Sequence, residues 1–520
     1  MRNIIVLLAA TILAVGFSSC KEEGEGKDKD PARKSFNEVY RPQYHFSPRA
    51  HWMNDPNGMV YYEGEYHLFF QHFPQALQWG PMHWGHATAE DLFHWDRHKI
   101  ALYPDSLGYI FSGSAVVDNN NTTGFKSGDD APLVAIFTHH DPDNSKEVQS
   151  IAYSRDGGES WSKYQGNPVI KNPGIEDFRD PKVFWHKPTA RWIMTLAAGD
   201  HVRFYSSPDL KEWKLESTFG KNAGAHGGVW ECPDLFPLPL DGDEQNKKWV
   251  LLVSTNPGAP NGGSGTQYFV GRFDGHRFDN QTQKHRWIDY GSDNYAGVTW
   301  SNAPERRLFM GWMNNWTYAE QIPTSTWRGA MTLPRRLSLQ TVHGQPRLIS
   351  QPAREVGDLG QRVFSLEDKK LSENSLNKEF VDIDLREAKI SLDMATGNAT
   401  DIILRLTNKE GRALELGFEK QEKELYLDRR DAGVDSFHQA FPKIHTAPLT
   451  QWPDQLNLEI YLDRSSVELF VNGGERVMTD RIFNKKAFSR LEIFTSSGTA
   501  RLEKLEVSEI KSVWSKEKMN

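Results

Sequence analysis

The sequence predicts an all-β protein, a five-bladed β-propeller followed by a C-terminal β-sandwich, and three observations carry that expectation. Gly 41 and Pro 27 are scattered among many short apolar runs, which marks turns between strands more than long helices. An aspartate-to-aromatic motif recurs through the first two thirds of the chain. Past residue 345 the texture changes to apolar residues alternating with period two, and no helical period of useful length occurs in either part.

The chain of 520 residues opens on a segment expected to lie outside the fold. Arg2 supplies a positive start, residues 4–16 are apolar, and Ser18 and Ser19 precede Cys20. Residues 1–19 therefore read as a signal peptide, too short for a membrane span. The run ends on a cysteine, which resembles the lipobox of bacterial lipoproteins and implies that Cys20 receives a lipid, although Phe17 stands where that box usually has Leu. Residues 20–36 are mostly charge and glycine and read as a tether. The expectation is an exported lipoprotein anchored to the outer membrane, with the cell surface favoured over the periplasm because the acidic tether resembles surface-export signals. Cys232 is then left without a disulfide partner.

Residues 37–343 are assigned to the propeller. The motif reads 88–95, 153–161, 206–213 and, more weakly, 273–278, with Asp91, Asp156, Asp209 and Asp274 spaced 65, 53 and 65 apart. Each Asp can close a turn through its side chain, and an aromatic follows four or five positions later. Repeats of this length with several short strands suit propeller blades. A second series of polar starts feeds strand-like runs: 54–58, 112–114, 179–181, 231–234 and 294–297. Five starts predict five blades. First strands line a propeller's axis, so Asp55, Asp180 and Glu231 are expected to meet in one funnel.

Residues 344–360 are assigned as a linker and 361–515 as the sandwich. Residues 456–462, 467–471, 491–494 and 502–507 alternate as half-buried antiparallel strands do. Asn472-Gly473-Gly474 is a hairpin turn. Structural support is the expected role of this part, with no sugar site of its own. Glu475 and Arg476 are expected on a solvated face.

Composition narrows the function. With 61 basic and 69 acidic residues the net charge is −8, which offers no basic surface to a phosphate backbone. Two cysteines exclude a disulfide scaffold. The 17 Trp, 28 Phe and 16 Tyr fill cores, and such rings also stack on sugar faces. Seven histidines (51, 67, 72, 83, 86, 94 and 98) crowd one segment, but without ligand spacing they are expected to be packed or solvent-facing. His139, His140 and Asp141 are expected in a rim loop, with contact to a sugar subsite as the alternative.

Fold says little about reaction, so chemistry rests on the three acidic starts. Two carboxylates across a scissile bond are the minimum for a glycosidase, one a nucleophile and the other an acid that later activates water. Glu231, between Trp230 and Cys232, has the less polar surroundings and suits the protonated acid. Asp55, between Asn54 and Pro56, suits an ionised nucleophile, and Asp180, kept ionised by Arg179, suits gripping hydroxyls. Turn-forming or surface acids remain the alternative from chemistry alone. Cys232 is expected to be a small packed neighbour tuning the acid.

Residues 51–58, His-Trp-Met-Asn-Asp-Pro-Asn-Gly, resemble the first signature of glycoside hydrolase family 32, which holds invertases, inulinases and levanases. Residues 111–114 resemble its second, 178–181 its third and 231–234 its fourth. The stretches 312–316, 327–329 and 333–335 resemble its last blade, and 464–473 a turn of its sandwich. Six motifs in the family's order span residues 40–510, although each alone is weak.

The resemblance implies a retaining mechanism on β-linked fructose without metal or cofactor. It implies Asp55 as nucleophile, Glu231 as acid/base and Asp180 as transition-state stabiliser. Asn54, Gln71, Trp79, Ser114 and Arg179 match residues lining the fructose pocket, together with Phe111 and Ser112 of the second signature. Trp52 and Trp312 are expected as further walls. The expected activity removes terminal fructose from levan, inulin, fructo-oligosaccharides and sucrose. Endo action on the same site and a non-catalytic surface fructan-binding lipoprotein are the alternatives.

Overall fold

The computed structural model describes residues 36–514, apart from 283–284, 373–375 and 381–382. The expected signal peptide, Cys20 and all of the tether but Phe36 lie outside the described residues. Phe36 is no tether residue: its ring stacks on Trp514 at 4.2 Å.

The molecule is all-β. Its first part contains five successive antiparallel units, whose first strands are His51–Tyr62, Tyr109–Val117, Lys182–His186, Val229–Leu240 and Tyr295–Thr299. These five strands pack on one another in cyclic order, and the fifth closes on the first. The ring is also laced by polar side chains. Asp234 accepts from the amide and hydroxyl of Thr299 at 2.7 and 2.8 Å and lies 3.3 Å from Lys182 Nζ.

Each recurring Asp sits between the third and fourth strands of its unit and accepts backbone amides. Asp91 takes those of Phe93 and His94, Asp209 those of Lys211 and Glu212, and Asp274 those of His276 and Arg277. The fifth unit lacks the motif and turns at His343-Gly344 instead. Its fourth strand, Gln345–Pro352, pairs along its whole length with Arg335–Val342. The expected linker therefore begins too early: residues 345–352 are sheet, since Leu348 and Ile349 bury their side chains there.

Every first strand carries a β-bulge at one equivalent position. Asn54-Asp55 together oppose Gln71, Phe111-Ser112 oppose Thr138, and Cys232-Pro233 oppose Val253, while Ala296-Gly297 oppose Gly311. Asp180-Pro181 do the same opposite Leu196, between the Arg179–Ala197 backbone bonds and the Lys182–Thr195 pair. A bulge adds one residue and re-aims its neighbours. Asp180, Cys232 and Ala296 accept left-handed φ values of 65°, 47° and 53° to make it.

The second part holds two six-stranded antiparallel sheets with an apolar core between them. Strands Ala388–Ala395 and Asp401–Asn408 alternate buried and half-buried residues as period two requires. Strand Ser466–Val471 does not: all six residues are buried, because its second face meets the first part. Tyr461, Phe470 and Val477 belong to the core of that first part. Arg476 is likewise buried and donates to the Pro448 carbonyl at 2.8 Å, which corrects the solvated face expected for it.

Candidate active site

The bulges gather three carboxylates from three units into one cavity of about 430 Å³. Asn54, Asp55, Gln71, Trp79, Phe111, Ser112, Arg179, Asp180 and Glu231 all line it. Cys232 bridges two of the acids. Its amide donates to Asp180 Oδ2 at 3.0 Å, and its Sγ stands 3.5 Å from that oxygen and 3.8 Å from Asp55 Oδ2. Burial pushes the thiol well above its usual range, so it stays a neutral S–H donor. Cys232 thus faces the two aspartates, where the sequence suggested that it tunes Glu231.

Asp55 accepts Asn54 Nδ2 at 3.1 Å and Ser112 Oγ at 2.9 Å. Both bonds favour the carboxylate, but burial and then the charge of Glu231 outweigh them, and Asp55 is raised to about 6. Asp180 is raised further, by burial first and by Glu231 second. Arg179 offsets only part of this, because its guanidinium points elsewhere. Its Nε and one terminal nitrogen donate to Glu231 Oε1, each at 3.0 Å, and the other donates to Glu147 at 3.1 Å and Asp177 at 2.5 Å. The expected Arg179–Asp180 pairing is therefore corrected to Arg179–Glu231. Burial opposes the Arg179 charge, yet the acids around it hold its pKa well above the usual value.

Three expected pocket residues stand behind the wall. Trp52 is fully buried and donates from Nε1 to Asn54 Oδ1 at 2.8 Å, which turns the Asn54 amide toward Asp55. Ser114 Oγ donates to the Pro181 carbonyl at 2.9 Å and accepts the Val183 amide at 3.0 Å, so it ties two units together beside Asp180. Trp312 is buried between Trp52 and Trp316, and Trp316 is the member of that trio that reaches the cavity. Gln71 Nε2 is buried without a partner among the described residues and offers a free donor.

Sequence reading missed Tyr295 and Glu147 and misplaced His140. Tyr295 donates its phenol to Glu231 Oε2, and burial keeps that phenol protonated. Its signal was present, since it stands second in the fifth polar start. His140 ends a strand and not a rim loop, and its ring stacks on Phe111 at 4.3 Å. Glu147 joins His140 and Arg179 across the second unit. Of the crowded histidines, His67 and His86 bond each other at 3.1 Å, and His72 bonds the Trp52 carbonyl.

The chain matches the model of the glycosyl hydrolases family 32 N-terminal domain over residues 45–352 and that of the family's C-terminal domain over 359–509. It is 45% identical over 519 residues to a levanase of Bacillus subtilis, covering 98% of this chain and 75% of that protein. It is 38% identical over 522 residues to an extracellular exo-inulinase of Aspergillus niger, covering 92% and 96%. The exo-inulinase structure from Aspergillus awamori superposes with a TM-score of 0.87 at 37% identity, covering 92% of this chain and all of that one. A β-fructofuranosidase from Schwanniomyces occidentalis complexed with fructosyl-erythritol gives 0.83 at 34% identity, covering 91% and 98%. The chain belongs to glycosyl hydrolases family 32 and is a glycoside hydrolase.

Proposed function

We propose that this family 32 hydrolase removes terminal β-D-fructosyl groups from fructans, fructo-oligosaccharides and sucrose, with retention. The observation that carries the reading is the convergence of Asp55, Asp180 and Glu231 on one cavity among sugar-sized aromatic walls. Asp55 attacks the anomeric carbon while Glu231 gives its proton to the leaving oxygen, and a fructosyl ester forms on Asp55. Glu231 then takes a proton from water, the water oxygen attacks the same carbon, and Asp55 leaves as carboxylate. Asp180, close to both, accepts hydrogen bonds from fructose hydroxyls. Arg179 and Tyr295 hold the two Glu231 oxygens, so that its remaining lone pairs and proton face the cavity. Burial beside Glu231 accounts for the raised values at Asp55 and Asp180.

The five units are read as the blades of a propeller over residues 37–352, joined through 353–359 to a β-sandwich over 360–514. The cyclic packing of the first strands and the five equivalent bulges support this. Exo action fits a cavity flanked by Trp79, Phe111 and Trp316, which suits a chain end. Relatives named extracellular support export, and the sequence around Cys20 supports a lipid anchor in the outer membrane facing outward.

A time course of product sizes on levan and on inulin tests the reading. Fructose alone from the earliest points is expected, and the faster polymer names the preferred linkage. Early oligosaccharides would replace exo with endo action, and no product from either polymer or from sucrose would overturn the substrate class.

A further inference from the structure

Tyr295 reaches Glu231 from a segment that the second part of the molecule holds in place. Residues 289–293 lie along the strand Arg476–Arg481 like an extra edge. Tyr290 donates its amide to the Val477 carbonyl at 2.8 Å, and Asp293 its amide to the Thr479 carbonyl at 3.0 Å. Asp289 takes the amide and the hydroxyl of Thr479 at 2.8 and 2.7 Å, and also Arg335 at 2.9 Å. Asp293 takes Arg429 at 2.6 Å and the Arg481 amide at 2.8 Å. Between them Gly291 passes so close that a Cβ would sit 2.1 Å from the Thr479 carbonyl oxygen. Three residues after Gly291, Asn294 bonds back to Asp289, and the chain enters the fifth bulge with Tyr295 aimed at Glu231.

We propose that the strand Arg476–Arg481 is a positioning element of the active site, fixing the Tyr295 phenol on Glu231 through residues 289–293. The inference rests on the reading of Glu231 as acid/base. The geometry assigns the second part a role beyond support, because buried carboxylates on a five-residue segment are a costly way to hold a loop that needs no fixed direction. A hydrogen bond works only within a narrow range of distance and angle, so a small slip of this segment is felt at the phenol. The groups facing Glu231 are Tyr295 and Arg179 on its two oxygens, with the Asp55, Asp180 and Cys232 side chains beside them. Of these, Tyr295 alone is held through the second part. The same segment also accepts Asn315 Nδ2 at the Ser292 carbonyl, 2.8 Å, beside the wall residue Trp316.

The test is the pH profile of kcat/KM on sucrose for Thr479→Val, Thr479→Ser, Tyr295→Phe and the double variant Thr479→Val/Tyr295→Phe. A donor on the carboxylate favours its ionised form, so losing it moves the basic limb upward, by about one pH unit for Tyr295→Phe. Thr479→Val is expected to move the limb in the same direction, Thr479→Ser to leave it at the wild-type position, and the double variant to match Tyr295→Phe alone. Gly291→Ala, which pushes the segment off its strand, is expected to repeat the Thr479→Val shift and serves if that variant does not fold. A limb unmoved in Thr479→Val and Gly291→Ala while Tm falls, a limb unmoved in Tyr295→Phe, or shifts that add in the double variant would overturn the proposal. Glu231→Gln separates the two readings: if it stays active, the acid/base assignment fails, and if it is inactive while the limb never moves, only the positioning role fails.

Discussion

Two clusters of buried charge lie in this molecule, and they obey opposite rules. In the cavity, one guanidinium serves Asp55, Asp180 and Glu231, and it is turned to Glu231 and shared with Glu147 and Asp177, so acids are in excess and Asp55 and Asp180 are pushed toward their protonated forms. At the junction of the two parts, Glu468 sits between Arg335 at 2.6 Å and His45 at 2.9 Å, both buried. There Glu468 is lowered to about 2 despite its burial, and the acids around His45 raise it to about 9. Burial opposes charge in both places. What differs is whether a fixed opposite charge answers it. The junction is built to be ionised and to hold, whereas the cavity leaves its acids short of opposite charge.

The largest effect expected from breaking this contrast is at Asp55, the proposed nucleophile. Asp55→Asn should lower hydrolysis by at least ~10³-fold, and by the same substitution stabilise the protein at pH 7–8. Asp55 rises from 3.8 to about 6 on folding, which corresponds to roughly 3 kcal/mol of penalty on the charged form. A raised carboxylate contributes fully below its unfolded value and loses that contribution as pH passes through 6. The stability gap between variant and wild type should therefore close below pH 4, as urea titrations at both pH values would read. A variant less stable at every pH would break the contrast.

Glu468→Gln should go the other way, costing about 3–5 kcal/mol because Arg335 and His45 lose their shared anion in a dry site. The wild-type contribution of Glu468 is present above 4.5 and is lost as pH falls toward 2, while that of His45 is present below 6.5 and is lost as pH rises through 9. The destabilisation should accordingly be greatest between those limits. Denaturation midpoints from pH 3 to 9 would check it, and a flat difference would show that packing alone is at work.

The smallest effect sharpens the comparison within the cavity wall itself. Ser112 donates to Asp55, whereas Ser114 donates to the backbone. Ser112→Ala should move the acidic limb of the pH–rate profile upward from about 6 by a few tenths of a unit, having removed a bond that favours the ionised nucleophile. Ser114→Ala should leave that limb in place and lower Tm slightly. Equal shifts in both would contradict the assignment of only Ser112 to Asp55.

Much of this was legible in the residues. The recurring Asp could be read because an Asx turn is local: the side chain bonds amides two or three residues on, as at Asp91 and Asp274. The three acids could be read because each sits at a polar start before a strand. Glu468 could not. It sits in an alternating strand and reads as solvent-facing, and only the packing of that strand on the first part makes both of its faces interior. Trp312 and Trp316 could not be told apart either, because which ring of a stacked trio reaches the cavity depends on loop direction.

The sequence by itself determined the all-β class, the alternation of strands, the turns and the identity of the three acids, since these depend on periods and on contacts within a few residues. Only the tertiary structure decided that Arg179 turns to Glu231 and not to its neighbour Asp180, that Cys232 faces the two aspartates, and that Tyr295 completes the site. Those choices are made across units, between residues 52 to 177 positions apart in the chain. Burial, bulge direction and the nearest opposite charge fix them, and none of the three is a property of a local stretch of chain.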